Sequence, residues 1–66
     1  MIAIRIKELR IERHLTQKQF GELLSVSQDT VSLWEKGKSS PSAEYIGQIC
    51  RLFQVSADYL LGLSEY

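Results

Sequence analysis

Cysteine and proline occur once each in these 66 residues. A lone Cys50 excludes a disulfide within the chain and fits a reducing, cytoplasmic setting. Beside a single His14 it also leaves no zinc-ligand set. No apolar run approaches the roughly 18 residues of a membrane span, and the N-terminus carries no signal-peptide pattern, so no membrane partner is expected. Neither a nucleophile–base pair nor a glycine-rich phosphate loop is present, which argues against an enzyme. No metal, cofactor or small-molecule ligand is expected. An excess of one charge is lacking too: eight basic side chains balance eight acidic ones. A strongly basic balance would have announced a nucleic-acid binder.

What is present is ordinary in amount and informative in arrangement. Apolar residues make up 44% of the chain, enough for one small domain spanning residues 1–66. Such a domain buries only about 60% of its unfolded surface, so modest stability is expected. Charge is polarised along the chain. Up to residue 38 there are seven basic and five acidic side chains; beyond it there are one and three. One basic and one acidic face could result.

Periodicity predicts an all-α chain of five short helices. In Ile2–Arg13, Ile2, Ile6, Leu9 and Arg13 recur at spacings of four, three and four. Ile4 and Ile11 lie on another face, and "IAIRI" also alternates with period two, leaving a short strand at 2–6 as a competing reading. Thr16 caps a second helix to Leu24, with Phe20, Leu23 and Leu24 facing inward and Gly21 permitting a close helix approach. Ser27 caps a third, Gln28–Lys36, stopped by Gly37. A fourth runs from about Ser42 to Phe53, capped either by Ser40 ahead of Pro41 or by Ser42 directly. Its inward face carries Ile46, Ile49, Cys50 and Phe53, where Cys50 is read as packing. Ser56 caps a last short helix, "ADYLL", ended by Gly62.

The third helix is the unusual one. Its Gln, Asp, Thr, Val and Ser residues are poor helix formers. Val31 and Trp34 give it a face to dock, while Gln28, Asp29, Ser32 and Leu33 face away. A three-residue link to the second helix forces the sharp angle of a helix-turn-helix. In that arrangement the second helix of the pair enters the DNA major groove, and short polar side chains let it sit deeply there. Asp29 could accept from a cytosine amino group, repel wrong sequences, or favour the helix N-terminus. Lys7, Arg13 and Lys18 read as solvated charges that could attract DNA at long range.

The stretch "LTQKQFGELLSVSQDTVSLWEKGKSSPSAEYIGQICRLFQVSADYLLG" resembles the lambda-repressor-like (Xre-type) helix-turn-helix DNA-binding family. The matches include Leu15, Thr16, Gln17, Phe20, Val26, Ser27, Val31, Ser32, Trp34, Glu35, Gly37, Pro41, Ser42, Val55, Ser56, Asp58, Leu60 and Leu61; "RIKELR" matches the family's first helix. The resemblance implies a compact five-helix domain that binds double-stranded DNA as a bacterial or phage-type regulator, most simply a repressor. It implies base reading by Gln28, Asp29, Ser32 and Leu33. It places Gln17, Lys18, Ser27, Thr30, Lys36, Gly37, Lys38 and Ser39 along the sugar–phosphate backbone. It also implies an ion pair between Arg10 and Glu35, which could otherwise be ordinary surface charges. Three departures stand out: Gly21 for the usual Ala, Leu33 for a polar or basic residue, and Gln54 where Gly or Asn often ends the fourth helix.

One short helix reads too little sequence alone, so a homodimer on a palindromic operator is expected. The fifth helix looks too short to bury Tyr59, Leu60, Leu61 and Leu63 together, which makes these four the expected dimer surface. The competing class is a helical protein-interaction or adaptor domain that keeps the fold without the DNA contact.

Overall fold

The computed structural model describes residues 1–65. It contains α1 (Ile2–Glu12), α2 (Gln17–Leu24), α3 (Gln28–Glu35), α4 (Ala43–Phe53) and α5 (Ala57–Leu60). No strand forms among the described residues; the alternating segment at 2–6 is the first turn of α1.

Four helices start on a Ser or Thr side chain. Thr16 Oγ1 accepts from Gln19 N at 3.0 Å while Gln19 Oε1 accepts from Thr16 N at 2.9 Å, a reciprocal capping box. Ser27, Ser42 and Ser56 accept from the N–H three residues on. For α4 the cap is therefore Ser42, and Pro41 lies buried before it.

All five helices end in the same way. A residue at positive φ follows the helix, and the next N–H reaches back to a carbonyl five residues earlier. The positive-φ residues are His14, Ser25, Gly37, Gln54 and Gly62. Only two are glycine, so three turns hold an L-residue in the left-handed region.

The core joins Ile6 and Leu9 of α1, Phe20 and Leu24 of α2, Val31 and Trp34 of α3, Ile49 and Phe53 of α4, and Tyr59 and Leu60 of α5. Phe20 and Phe53 stack with centroids 5.2 Å apart and planes 3° apart. Trp34 packs against Tyr45 and is core. Three expectations need correction. Leu23 is 51% exposed, because Phe20 and Leu24 already fill the space α2 faces. Gly21 does not open a helix–helix crossing. A Cβ there would lie 2.6 Å from the carbonyl oxygen of Val26, so the close neighbour is the turn leading into α3. Tyr59 and Leu60 are not surface residues. Short as it is, α5 lies against both α1 and α4, and the Arg5 guanidinium covers the Tyr59 ring at 4.7 Å. Only Leu61 and Leu63 of that expected quartet stay exposed.

Candidate nucleic-acid interface

Helix α3 is held by its neighbours. Val31 is fully buried and Trp34 nearly so, which fixes one side of the helix on the core. Gln28, Asp29 and Leu33 project from the other side into solvent, with Ser32 half-buried among them. These four share one face because they stand three and four residues apart. Packing of two large apolar side chains, roughly 1.5–3 kcal/mol each, outweighs the few tenths per residue lost to poor helix propensity.

The ends of α3 are fixed differently. At its start, Ser27 Oγ caps Thr30 N and lies 3.0 Å from Thr30 Oγ1, so both hydroxyls already have partners inside the domain. At its end, Glu35 meets Arg10 of α1 through two bonds, Nε–Oε2 at 2.7 Å and Nη2–Oε1 at 3.1 Å. The two side chains are 13% and 4% exposed. Arg10 also donates to the Leu15 carbonyl at 2.9 Å, and Gln17 Nε2 donates to Glu35 Oε1 at 3.2 Å. One carboxylate thus ties α1, α2 and α3 together, and its remaining charge is satisfied by bidentate geometry. The Gln17 bond had no local signal, since its partner lies 18 residues away.

Beyond α3 the chain turns at Gly37, φ 73°, and leaves Lys36, Lys38 and Ser39 exposed beside the helix end. Lys18 is exposed on α2. The first N–H groups of α2, those of Gln17 and Lys18, have no intrahelical acceptor, and such a helix start attracts anions. The structure therefore brings a polar helix face together with cationic and N–H donors at its flanks. It does not bring Tyr59 or Leu60 to any surface.

Nothing at this site resembles catalytic machinery. Burial pushes the Cys50 thiol above its usual pKa, with the Arg51 charge opposing, so the thiol stays neutral near pH 7. Among the described residues no three His, Cys, Asp or Glu side chains gather as a metal set, and no helix is long and apolar enough to cross a membrane.

A family profile described as helix-turn-helix matches residues 6–60. The chain is 39% identical over 61 residues to the HTH-type transcriptional activator BcrR of Enterococcus faecalis, covering 92% of this chain and 30% of that protein. It is 40% identical over 62 residues to the antitoxin PezA of Streptococcus pneumoniae, covering 94% of this chain and 39% of that one. The chain thus spans well under half the length of these two relatives. Among solved structures it resembles the P22 c2 repressor in complex with synthetic operator 9T, with TM-score 0.87, 28% identity and 97% of each chain covered.

Proposed function

Because the chain belongs to the lambda-repressor-like helix-turn-helix family of transcriptional regulators, which is not enzymatic, we propose that it binds double-stranded DNA sequence-specifically, with α3 in the major groove. The observation that carries this reading is the outward face of α3. Short polar side chains stand on a helix that the core and a buried ion pair hold rigid, next to exposed Lys36 and Lys38.

Gln28 and Asp29 lead the base-reading set, with Gln28 suited to a bidentate contact with adenine. Ser32 follows one turn on. Leu33, 43% exposed, has no donor and suits a thymine methyl. Lys18, Lys36, Lys38, Ser39 and the N–H groups of Gln17 and Lys18 lie along the phosphates, and Gly37, whose own N–H donates to the Trp34 carbonyl, borders them as a bare turn. Gln17 keeps one amide hydrogen for a phosphate after its bond to Glu35, whereas Ser27 and Thr30 share hydroxyls already engaged with each other. The protein acts as a repressor in the cytoplasm. A homodimer reads two half-sites about 34 Å apart on a palindromic operator. Leu61 and Leu63 form the exposed apolar surface left for its contact, beside Met1, which packs on Gly62.

Selection from a random DNA pool at several salt concentrations tests this. A steep fall of affinity with salt and an enriched palindromic sequence are expected. Gln28→Ala should cost about 1–3 kcal/mol of discrimination at one position per half-site, whereas Lys38→Ala should weaken all sequences alike and flatten the salt slope by about one. An unchanged sequence logo for Gln28→Ala overturns the docking register. Binding that ignores salt favours the protein-interaction reading, for which zero net charge is the supporting observation.

A further inference from the structure

The outward face of α3 carries one charged side chain ahead of Lys36, and it is the acidic Asp29. Asp29 is exposed, in the second position of the helix. It is not the cap, because Ser27 Oγ already accepts from Thr30 N. Among the described residues the ion pair is that of Arg10 with Glu35, and Asp29 has neither an ionic nor a hydrogen-bonded partner. Lys36 stands seven residues on, about 10 Å along the helix axis. Gln28, Ser32 and Leu33, which surround Asp29 on this face, are uncharged.

With α3 in the major groove, the reading on which this inference rests, that carboxylate enters a polyanion. It loses water there and needs a hydrogen-bond donor in exchange. Base edges in the major groove offer only two amino donors, N4 of cytosine and N6 of adenine. Guanine presents N7 and O6, and thymine presents O4; these acceptors repel a carboxylate. The amino group of adenine stands beside N7, whose lone pair also repels it. The amino group of cytosine stands beside C5–H, which has no lone pair. We propose that Asp29 accepts a hydrogen bond from cytosine N4 at one base position under α3, and that its charge disfavours every other base there.

The two effects work in opposite directions on affinity and together on selectivity. On a cytosine site the contact holds the complex. On any other sequence the carboxylate is left without a donor among phosphates, so non-specific binding is weakened. The whole chain has no net charge, and the exposed cations beside α3 are Lys18, Lys36 and Lys38. One anion set among so few cations is a large part of what DNA meets at this face.

Asp29→Asn is the diagnostic variant. It removes the charge, keeps the shape, and supplies the donor and acceptor that suit adenine N6 and N7. Selection from a random DNA pool with parent and variant should change one position from cytosine to adenine and leave the position read by Gln28 as it was. A role confined to the start of the helix would not move a base preference. Affinity for a duplex of scrambled sequence should rise about threefold to tenfold at low salt and less at high salt. A second measurement alters the DNA instead. Replacing the selected cytosine by 2-pyrimidinone, which lacks the amino group, should weaken the parent about tenfold and Asp29→Ala less than about twofold. Any change in the duplex itself is common to both proteins and cancels in the comparison. If no cytosine position answers to Asp29→Asn, if scrambled DNA binds no better, or if the parent ignores the missing amino group, the proposal falls while the DNA-binding reading stands. A pool from which the parent enriches no sequence overturns that reading and this proposal together.

Discussion

The two ends of α3 are held by opposite means. At the start, backbone fits backbone: the link of Ser25, Val26 and Ser27 lies so close to α2 that Gly21 has no room for a Cβ. At the finish, space is open. A Cβ on Gly37 would meet nothing within 4 Å, and the anchor is the side-chain network of Glu35, Arg10 and Gln17. The same residue type therefore serves two needs. Gly21 is required by crowding and Gly37 by its φ of 73°. Both attachments constrain α3, the close-packed link at its entry and the buried ion pair at its exit.

Cutting the anchor should give the largest effect. Arg10→Met leaves the Glu35 carboxylate, 4% exposed, without its cation. Removing one partner of a buried pair costs about 3–5 kcal/mol. Arg10→Met together with Glu35→Leu should recover most of it, leaving about 1 kcal/mol for the stranded Leu15 carbonyl. A double-mutant cycle by thermal unfolding measures the coupling. Small additive losses would show that the exit end does not depend on the pair.

Crowding the entry comes next. In Gly21→Val the new Cβ would stand 2.6 Å from the Val26 oxygen and 3.3 Å from that of Ser27. Both are backbone atoms, so the link must swing and α3 with it. Overpacking of this kind costs about 1–3 kcal/mol, against a few tenths gained in helix propensity. The diagnostic outcome is in binding: at equal folded fraction, DNA affinity should fall as well. Unchanged affinity would mean that the link does not set the angle of α3.

The comparison also explains what could be read from the amino acids alone. Helix starts were legible at Thr16, Ser27 and Ser56, which cap through their own side chains, a signal carried by residue type; for α4 the sequence left Ser40 and Ser42 open, and the cap is Ser42. The last helical residues Leu24 and Phe53 were legible where the apolar period stops, but the left-handed residue that turns the chain was legible only where it is glycine, at Gly37 and Gly62. His14 and Ser25 give no such sign, and Gln54 was noticed only as a departure from the resembled family; what places them at positive φ is the packing of the next helix. The outward face of α3 was legible from its period. Whether apolar residues beyond the core's needs stay inside was not: Leu23 turned out exposed, whereas Tyr59 and Leu60 turned in. The partners that decide this, Phe53 against Phe20 and Arg5 over Tyr59, are distant in the chain. Arg10 and Glu35 were paired by family resemblance; Gln17 joining them required the fold.

The smallest effect tests the left-handed residues at the two ends directly, and here the signs should differ. Ser25 sits at φ 59°, ψ 38°, where a side chain costs about 1–2 kcal/mol relative to glycine. Ser25→Gly removes that cost but gives the unfolded chain more freedom, worth about 0.4–1 kcal/mol. A net stabilisation near 0.5 kcal/mol follows from these two magnitudes. Gly37→Ala runs the exchange backwards. Its surroundings are empty, so the change is purely conformational, and a loss of about 0.5–1 kcal/mol is expected from the same magnitudes. Urea unfolding at constant m reports both as shifts in midpoint, upward for Ser25→Gly and downward for Gly37→Ala. Two shifts of the same sign would mean that local backbone conformation does not govern either end. A loss on Ser25→Gly alone would show that the Ser25 side chain holds the entry turn through a contact stronger than the strain it imposes.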